Sequence, residues 1–233
     1  MFHPQGPTFL ELARQGLSST RRGYDLLAPK FDRTPFRTPD EVLEVVGGRL
    51  TTEGPFASGL DLCCGTGAGL KILESLCSER VVGLDFSEGM LAQARVNVPR
   101  AELVQADVLE LKVEQEFDLV TCFGAFGHVP RDREQDFVRS IHRALRPGGL
   151  FAFVTVPMPK VGSPAWLFGR GYNAVAHLRN LLVRPPFVMF YLTFTLEAAL
   201  RLLAEARFVS EVQRDRFPKP HQEGALVLAR KKR

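Results

Sequence analysis

The chain has 233 residues, 45% of them hydrophobic, and a formal net charge of +4 at pH 7. This length allows one substantial core and argues against a second full domain, so we expect a single domain over residues 1–233. The longest uncharged stretch, 185–196, is shorter than the roughly 20 apolar residues that cross a bilayer as a helix, and the N-terminus lacks a signal-peptide pattern. The composition therefore predicts a cytoplasmic globular protein.

The cysteines and the basic C-terminal tail do not indicate a metal site or a nucleic-acid partner. Four cysteines lie within apolar runs and lack the spacing of metal ligands: Cys63, Cys64, Cys77 and Cys122. This pattern favours reduced, buried thiols and no bound metal. The tail ARKKR has no interleaved aromatic residues, so we interpret it as a solvated end rather than a nucleic-acid contact.

The N-terminal part of the chain precedes the region that predicts a sheet. Residues 1–37 look helical, and we expect them to form a helical cap. Thr38 and Glu41 around Pro39 form a capping-box pattern, which predicts a helix over 39–50.

Short apolar runs alternate with helix-like segments through the middle of the chain, which is typical of βαβ units and a parallel sheet. Seven segments are predicted to form strands: 59–63, 80–85, 101–107, 117–123, 149–156, 208–217 and 224–230. Helices are predicted over 88–98, with Ser87 as its N-cap, over 132–145 and over 195–206. The pattern predicts an α/β fold with about seven strands.

Residues 157–194 interrupt this alternation and are too aromatic for an ordinary connector. They contain six large aromatic side chains: Trp166, Phe168, Tyr172, Phe187, Phe190 and Tyr191. Loops this long are usually functional, so we predict a lid that forms a largely apolar pocket. The alternative is an interfacial helix with Arg170, Arg179 and Arg184 facing lipid headgroups.

A cluster of small residues, Gly65 to Gly69, follows the first predicted strand directly. It therefore falls at the carboxyl end of the sheet, where ligands bind in open α/β folds. Glycine lets the backbone approach a ligand closely, and the following helix offers free N–H groups, although close helix–strand packing alone also explains such a cluster. Asp85 ends the second strand about 20 residues further on, where a carboxylate can accept hydrogen bonds from both ribose hydroxyls or cap the next helix. Together the two features indicate an adenosine-containing ligand.

The third predicted strand brings a second carboxylate, Asp107, to the same edge of the sheet. It can accept a hydrogen bond from the amino group of an adenine ring, or it can end the strand in an Asx turn. Phe86 and Met90, next to Asp85, can sandwich that ring or belong to the core.

Five motifs in order now carry a family resemblance: LDLCCGTGAG, GLDFSEGMLAQA, QADVLEL, FDLVTCFGAFGHV and ALRPGGLFAFV. The series resembles class I methyltransferases that use S-adenosylmethionine, and it covers roughly residues 38–156. The resemblance implies a Rossmann-like, doubly wound, seven-stranded sheet, mostly parallel with an antiparallel last strand, plus N-terminal helices and an inserted lid. It also implies S-adenosylmethionine as cofactor, S-adenosylhomocysteine as product and a small-molecule acceptor methylated on oxygen, nitrogen or carbon by in-line displacement, without a metal.

The resemblance assigns cofactor roles to individual residues. Asp61 is the acidic residue of the first motif, and the loop of Cys63, Gly65, Thr66 and Gly67 is expected to hold the methionine part. Asp85 is expected to hold the ribose, Phe86 and Met90 to flank the adenine, and Asp107 with the Val108 backbone to contact its edge. Phe123, after the fourth strand, is expected near the reactive end. The family commonly has glycine where this chain has Cys63, but cysteine is also small.

Two further residues are candidates for the site. The segment GYDLLAPKFD resembles one that precedes the core in relatives of the quinone-biosynthesis methyltransferases. This resemblance makes Tyr24 a candidate cofactor contact. The alternative is that Tyr24 only packs an N-terminal helix. His128 follows the fourth strand and is the candidate catalytic base for a hydroxyl acceptor; alternatively it shapes the pocket or caps the next helix.

Two other functions share parts of this pattern. A nicotinamide-dependent oxidoreductase is not favoured, because its G-x-G-x-x-G fingerprint needs glycine where this chain has Leu70 and no Tyr-x-x-x-Lys pair follows. A non-catalytic protein that binds S-adenosylmethionine would keep the glycine loop and Asp85. No NPPY-like segment follows the fourth strand, so nucleic-acid and protein amides are not the favoured acceptors.

Overall fold

The computed structural model describes residues 3–232, so Met1, Phe2 and Arg233, which include the start of the expected cap and the end of the tail, lie outside it. The helices are α1 Phe9–Gly16, α2 Thr20–Leu27, α3 Asp40–Thr51, α4 Ala68–Leu76, α5 Glu88–Asn97, α6 Glu134–Ala144, α7 Pro164–Leu182 and α8 Leu196–Glu205. The strands are β1 Phe56–Leu62, β2 Cys77–Asp85, β3 Glu102–Gln105, β4 Phe117–Cys122, β5 Leu145–Thr155, β6 Phe208–Gln213 and β7 Ala225–Lys231. Short 3₁₀ turns cover Ala28–Arg33, Val108–Glu110, Phe126–His128 and Arg131–Arg133.

The strands form one seven-stranded sheet in the order β3-β2-β1-β4-β5-β7-β6. Strands β1 to β5 pair in parallel, and β7 runs antiparallel to both β5 and β6. The predicted doubly wound fold with an antiparallel last strand is therefore confirmed. Strand order reverses between β1 and β4, and in such sheets the crevice at the carboxyl ends of these two strands is the usual ligand site.

Two apolar layers hold the sheet between helices. One layer joins β4 and β5 to α6 and α8, with Phe137, Ile141 and Leu203 fully buried. The other packs α3, α4 and α5 on the opposite face of the sheet, where Leu50 and Leu70 are fully buried. Burial of an apolar side chain contributes about 1.5 to 3 kcal/mol, so these layers are the main stabilising feature of the fold.

Several local predictions differ from the structure. The capping box of Thr38 and Glu41 is wrong: α3 begins after Pro39, which is its N-cap, and no side chain caps the helix. Arg37 instead binds Asp40 at 2.6 Å, in the first turn of the helix. The fifth strand also begins earlier than predicted, at Leu145, and its residues 146–149 bulge out because only one β4 residue lies opposite them.

The segment after β5 forms α7 and then folds back along it without regular structure. Two asparagines on one side of α7 fix this return. Asn173 exchanges two hydrogen bonds of 2.8 Å with the backbone of Tyr191, and Asn180 does the same with Phe187 at 2.8 and 3.0 Å. Arg179 donates to the backbone oxygens of Pro185 and Ser18, which ties α7 to the turn between α1 and α2.

None of the helices within residues 3–232 combines the length and the apolar content that a bilayer crossing requires.

Candidate active site

The glycine loop between β1 and α4 contains residues that need glycine for different reasons. Gly65 has φ +53°, and a Cβ placed on it would lie 3.8 Å from the Phe31 ring, its nearest neighbour, so this backbone is open to a ligand. A Cβ on Gly69, by contrast, would lie 2.5 Å from a carboxylate oxygen of Asp61. Gly65 therefore fits the ligand explanation of the cluster, whereas Gly69 fits the packing explanation.

Asp85 joins the glycine loop to the end of β2. One carboxylate oxygen accepts from the Gly65 N–H and the other from the Ser87 N–H, both at 2.9 Å. The side chain is buried, and burial raises its pKa to about 6 against the lowering effect of these backbone hydrogen bonds. Each oxygen still has a lone pair for another donor, since a carboxylate accepts about four hydrogen bonds.

The first helix turn after β2 is held by the N-terminal segment. Ser87 accepts from the Met90 N–H at 3.1 Å and caps α5 as predicted. Its hydroxyl donates to Asp25 at 2.6 Å, and Asp25 also accepts from the Gly89 N–H at 3.0 Å. The segment that contains Tyr24 is thus fixed directly beside Asp85.

Asp61, at the end of β1, is a buried carboxylate with one side-chain partner. Thr121 on β4 donates to it at 2.7 Å. Burial is the main cause that raises the pKa of Asp61 to about 7, and the nearby Asp85 raises it further.

The thiol of Cys63 does not resemble a nucleophile. Cys63 has φ +54°, a backbone conformation in which glycine is the usual residue, in agreement with the glycine of the family pattern. A hydrogen bond with Cys122, followed by burial, raises its thiol pKa, so the thiolate form is disfavoured. Cys63 therefore serves as a small wall residue.

Two adjoining cavities lie at this edge of the sheet, and together they include nearly all of the predicted site residues. Cys63, Phe86 and His128 line both cavities. The first cavity, of about 720 Å³ including open solvent, is also lined by Tyr24, Asp61, Gly65, Thr66, Asp85, Met90 and Phe123. Asp107 and Val108 line only the second cavity. Gly67 lines neither cavity; it has φ +93° and is the N-cap of α4.

Asp107 caps a local turn at the end of β3, which was the alternative to its role as an adenine contact. One of its oxygens accepts from the Leu109 N–H at 2.9 Å and caps the short 3₁₀ turn after β3. The second oxygen makes no such bond within this turn, so the two roles are compatible.

His128 and Tyr24 form a hydrogen-bonded pair at the junction of the two cavities. The Tyr24 hydroxyl lies 2.8 Å from Nε2 of His128, and Nδ1 of His128 lies 2.6 Å from the backbone oxygen of Val188. Because a carbonyl only accepts, Nδ1 carries the proton, and Nε2 of the neutral ring accepts from Tyr24. Burial lowers the pKa of His128 and raises that of Tyr24, so both groups are neutral near pH 7.

Aromatic rings surround the Tyr24 side chain and restrict its position. Phe187, from the segment after α7, lies parallel to the Tyr24 ring with a centroid distance of 6.4 Å. Phe31 and Phe86 approach it at 6.1 Å in tilted and edge orientations. The hydroxyl is therefore a fixed polar group in a mostly aromatic wall.

Sequence reasoning missed three charged residues of the N-terminal segment: Asp25, Asp32 and Arg37. Asp32 accepts from the Thr66 hydroxyl at 2.5 Å, which ties the glycine loop to the segment. Arg37 lines the first cavity with a side chain that is only 17% exposed, and it pairs with Asp40 at 2.6 Å and with Asp32 at 3.5 Å. No periodic pattern marks these residues, because their roles arise only when the segment folds against the sheet.

The fold and the site define a Rossmann-like α/β protein with a crevice at the carboxyl ends of its parallel strands. Comparison with known proteins makes this class more specific. Residues 60–149 match the family described as methyltransferase domain. The chain is 35% identical over 145 residues to the uncharacterized methyltransferase sll0829 of a Synechocystis species, a match that covers 62% of this chain and 59% of that protein. It is 27% identical over 158 residues to a demethylmenaquinone methyltransferase of Chlamydia caviae, covering 64% of this chain and 66% of that one.

Over these segments the chain is similar to methyltransferases. Among solved structures, the DhpI–SAH complex shares the fold, with a TM-score of 0.68 over 97% of this chain and 99% of that chain at 21% identity. The matched region spans less than two thirds of the length of the two curated relatives.

Proposed function

We propose that this chain transfers a methyl group from S-adenosylmethionine to a small-molecule acceptor. The observation that carries the proposal is the junction of two cavities at Cys63, Phe86 and His128. The first cavity contains the glycine loop and Asp85, and the second extends to Pro185 and Pro186 after α7. A nucleoside-bearing donor and an acceptor therefore have adjoining sites.

The residues around the first cavity fit the proposed donor. S-adenosylmethionine supplies an activated methyl group on a sulfonium when bound, and S-adenosylhomocysteine is the product. Gly65 presents backbone without a Cβ, and the Asp85 carboxylate keeps lone pairs for two ribose hydroxyls. Phe86 and Met90 supply apolar surface for the adenine ring. Asp107 and the Val108 backbone line the second cavity, which Phe86 also lines, and supply polar groups at the edge of the ring.

Arg37 adds a further contact to this assignment. Its guanidinium lines the same cavity as Gly65 and Thr66, near the expected position of the methionine part. A positive charge there complements the α-carboxylate of methionine, since hydrogen bonds between arginine and a carboxylate are the strong, charge-assisted type. Asp40 and Asp32 hold the guanidinium in place.

Arg37→Met is expected to lower the affinity for S-adenosylhomocysteine by about tenfold, because it removes a charged hydrogen bond. The affinity for 5′-methylthioadenosine, which lacks the amino-acid part, is expected to stay within about twofold of wild type. Titration calorimetry measures both ligands. Arg49→Met is the matched control, because Arg49 has a similarly covered side chain and pairs with Glu53 and Glu211 away from the cavity. Equal losses for the two ligands would contradict the carboxylate contact.

The Tyr24–His128 pair offers a route for a proton from a hydroxyl acceptor. The acceptor proton passes to the Tyr24 oxygen while the Tyr24 proton passes to Nε2 of His128. The acceptor oxygen forms its bond to the methyl carbon as the carbon–sulfur bond breaks, and that electron pair stays on sulfur. The imidazolium formed on His128 keeps its Nδ1–H on the Val188 oxygen. His128 therefore acts through Tyr24, because the hydroxyl occupies Nε2.

Positioning supplies most of the remaining catalysis. Well-oriented reactants reach effective molarities of about 10⁵ M or more, so a rigid wall around the acceptor lowers the barrier without a covalent intermediate. The lid predicted over 157–194 contributes Phe187 and the Val188 backbone to that wall. The aromatic lining and the demethylmenaquinone methyltransferases among the relatives favour an acceptor of apolar or aromatic character.

The test is formation of S-adenosylhomocysteine when the purified protein is incubated with S-adenosylmethionine and pools of phenols, hydroquinones and aliphatic hydroxyl compounds. We expect one pool to raise product formation at least about tenfold above the rate without acceptor. Tight binding of S-adenosylmethionine with no product from any pool would contradict the enzyme assignment and favour a non-catalytic binding protein.

A further inference from the structure

Helix α7 exposes a stripe of apolar side chains to solvent. A stripe of residues at helical spacing faces solvent and contains no polar side chain: Leu167, Gly171, Ala174, Leu178 and Leu182. Leu178 is 57% exposed and Leu182 is 73% exposed, and the adjacent Val175 and Leu181 are 67% and 72% exposed. A soluble helix normally turns such a stripe toward the core, so this face lacks a partner in the described chain.

The inward side of the same helix explains why the apolar stripe faces outward. Asn173 and Asn180 are seven residues apart and therefore share one side of the helix, where both bind the backbone of the returning segment. Gly169, on that side, allows contact so close that a Cβ would lie 2.8 Å from Leu192. These contacts fix the rotation of α7 about its axis, so the apolar stripe cannot turn inward.

The charges around the stripe indicate which kind of surface covers it. Residues 157–195 contain four basic residues and no aspartate or glutamate. Three of the basic side chains belong to exposed residues, Lys160, Arg170 and Arg184, and none of these three forms an ion pair with a carboxylate within residues 3–232. An exposed apolar helix face with basic residues at its margins is the pattern of helices that lie in the interface of an anionic bilayer.

A second copy of the chain fits this surface less well. A two-fold contact through α7 would bring the same basic residues of both copies together without any carboxylate from this segment to pair with them. Anionic lipid headgroups offer the complementary charge instead.

We infer that α7 docks onto the surface of an anionic lipid bilayer, with the stripe in the interface and Arg170 and Arg184 toward the headgroups. The second cavity is bordered by Pro185 and Pro186, directly after the C-terminal end of α7, and by Arg21. Docking therefore brings this cavity border to the lipid surface, where a membrane-resident acceptor is available. That last step rests on the proposed methyl transfer, whereas the docking itself does not.

Vesicle flotation of the full chain without S-adenosylmethionine tests the docking independently of catalysis. We expect binding to phosphatidylcholine vesicles that contain about 30% phosphatidylglycerol, much weaker binding to phosphatidylcholine alone, and weaker binding when salt rises from about 0.1 M to about 0.5 M.

Two variants locate the contact. Leu178→Glu combined with Leu182→Glu is expected to weaken vesicle binding at least about tenfold, because two carboxylates enter the interface. Val96→Glu is the matched control, since Val96 is 78% exposed on α5, and it is expected to bind as wild type. The inference is overturned if the wild-type protein floats with neither kind of vesicle, or if the double variant binds vesicles like wild type. It is also overturned if the wild-type protein binds no vesicles and sedimentation shows a dimer that the double variant abolishes. Vesicle binding in a protein that forms no S-adenosylhomocysteine would retain the docking and contradict only the methyl transfer.

Discussion

Asp85→Ala is expected to lower the affinity for S-adenosylmethionine at least about tenfold, because charge-assisted hydrogen bonds to the two ribose hydroxyls contribute roughly 1.5 to 3 kcal/mol each. Titration calorimetry on the folded variant measures the change. The substitution also frees the N–H groups of Gly65 and Ser87, so part of the loss comes from a less ordered loop.

Asp118→Ala separates these two contributions. Asp118 also accepts two backbone N–H groups, from Ala57 and Ser58 at 3.0 and 2.9 Å, but at the opposite end of β1. We expect both variants to reduce the free energy of unfolding by about 1 to 3 kcal/mol and only Asp85→Ala to reduce ligand affinity. Unchanged affinity in a folded Asp85→Ala protein would remove Asp85 from the ribose site.

Tyr24→Phe is expected to lower kcat for a hydroxyl acceptor by about 10² to 10⁴ while the affinity for S-adenosylmethionine stays within about twofold. The substitution keeps the ring that packs on Phe187 and removes only the hydroxyl bound to His128. His128→Asn is expected to cause a loss of similar size. If the two residues act as one relay, the double variant loses little more than either single variant, since effects within one catalytic unit are not additive.

The pH dependence distinguishes a relay from a purely structural pair. His128 must be neutral to accept a proton, and burial holds its pKa below the ordinary value of 6.5. Protonation of Asp85, whose pKa is about 6, weakens ligand binding and therefore also shapes kcat/KM, so the readout is kcat at saturating S-adenosylmethionine. In wild type this kcat is expected to fall as the pH drops through the His128 pKa. This acidic limb should vanish in His128→Asn and persist in His142→Ala, whose ring packs on Phe208 away from the cavities. A Tyr24→Phe enzyme with the wild-type kcat would contradict the relay.

The sequence was sufficient for those parts of the site that local patterns specify. Gly65 follows a predicted strand, and Asp85 and Asp107 each end one. The carboxyl ends of neighbouring parallel strands meet at one edge, so the proximity of these residues follows from the fold. The cap by Ser87 is equally local. The capping box at Thr38 was wrong because Pro39 occupies the N-cap and Arg37 binds the first helical residue.

The missed features depend on contacts between distant parts of the chain. The Tyr24–His128 bond joins residues 104 positions apart, and the Thr66–Asp32 and Ser87–Asp25 bonds join residues 34 and 62 apart. No period or spacing encodes such pairs. The sequence left open whether residues 157–194 form a lid or an interfacial helix, since a hydrophobic stripe alone does not indicate whether it faces the core. Asn173 and Asn180 set the orientation of α7 through hydrogen bonds to the backbone of a segment further along the chain.

The two aspartates of the N-terminal segment make its position part of the binding equilibrium. Asp32 holds the Thr66 hydroxyl of the loop, and Asp25 holds the Ser87 hydroxyl beside Asp85. Detachment of this segment would release both sides of the proposed nucleoside site at once. Ligand binding and the attachment of this segment to the sheet are consequently linked equilibria. Such linkage is reciprocal, so attachment of the segment increases ligand affinity by the same factor by which bound ligand suppresses detachment. Bound ligand should therefore slow proteolysis and amide exchange of the segment, although most of its residues lie outside the cavity.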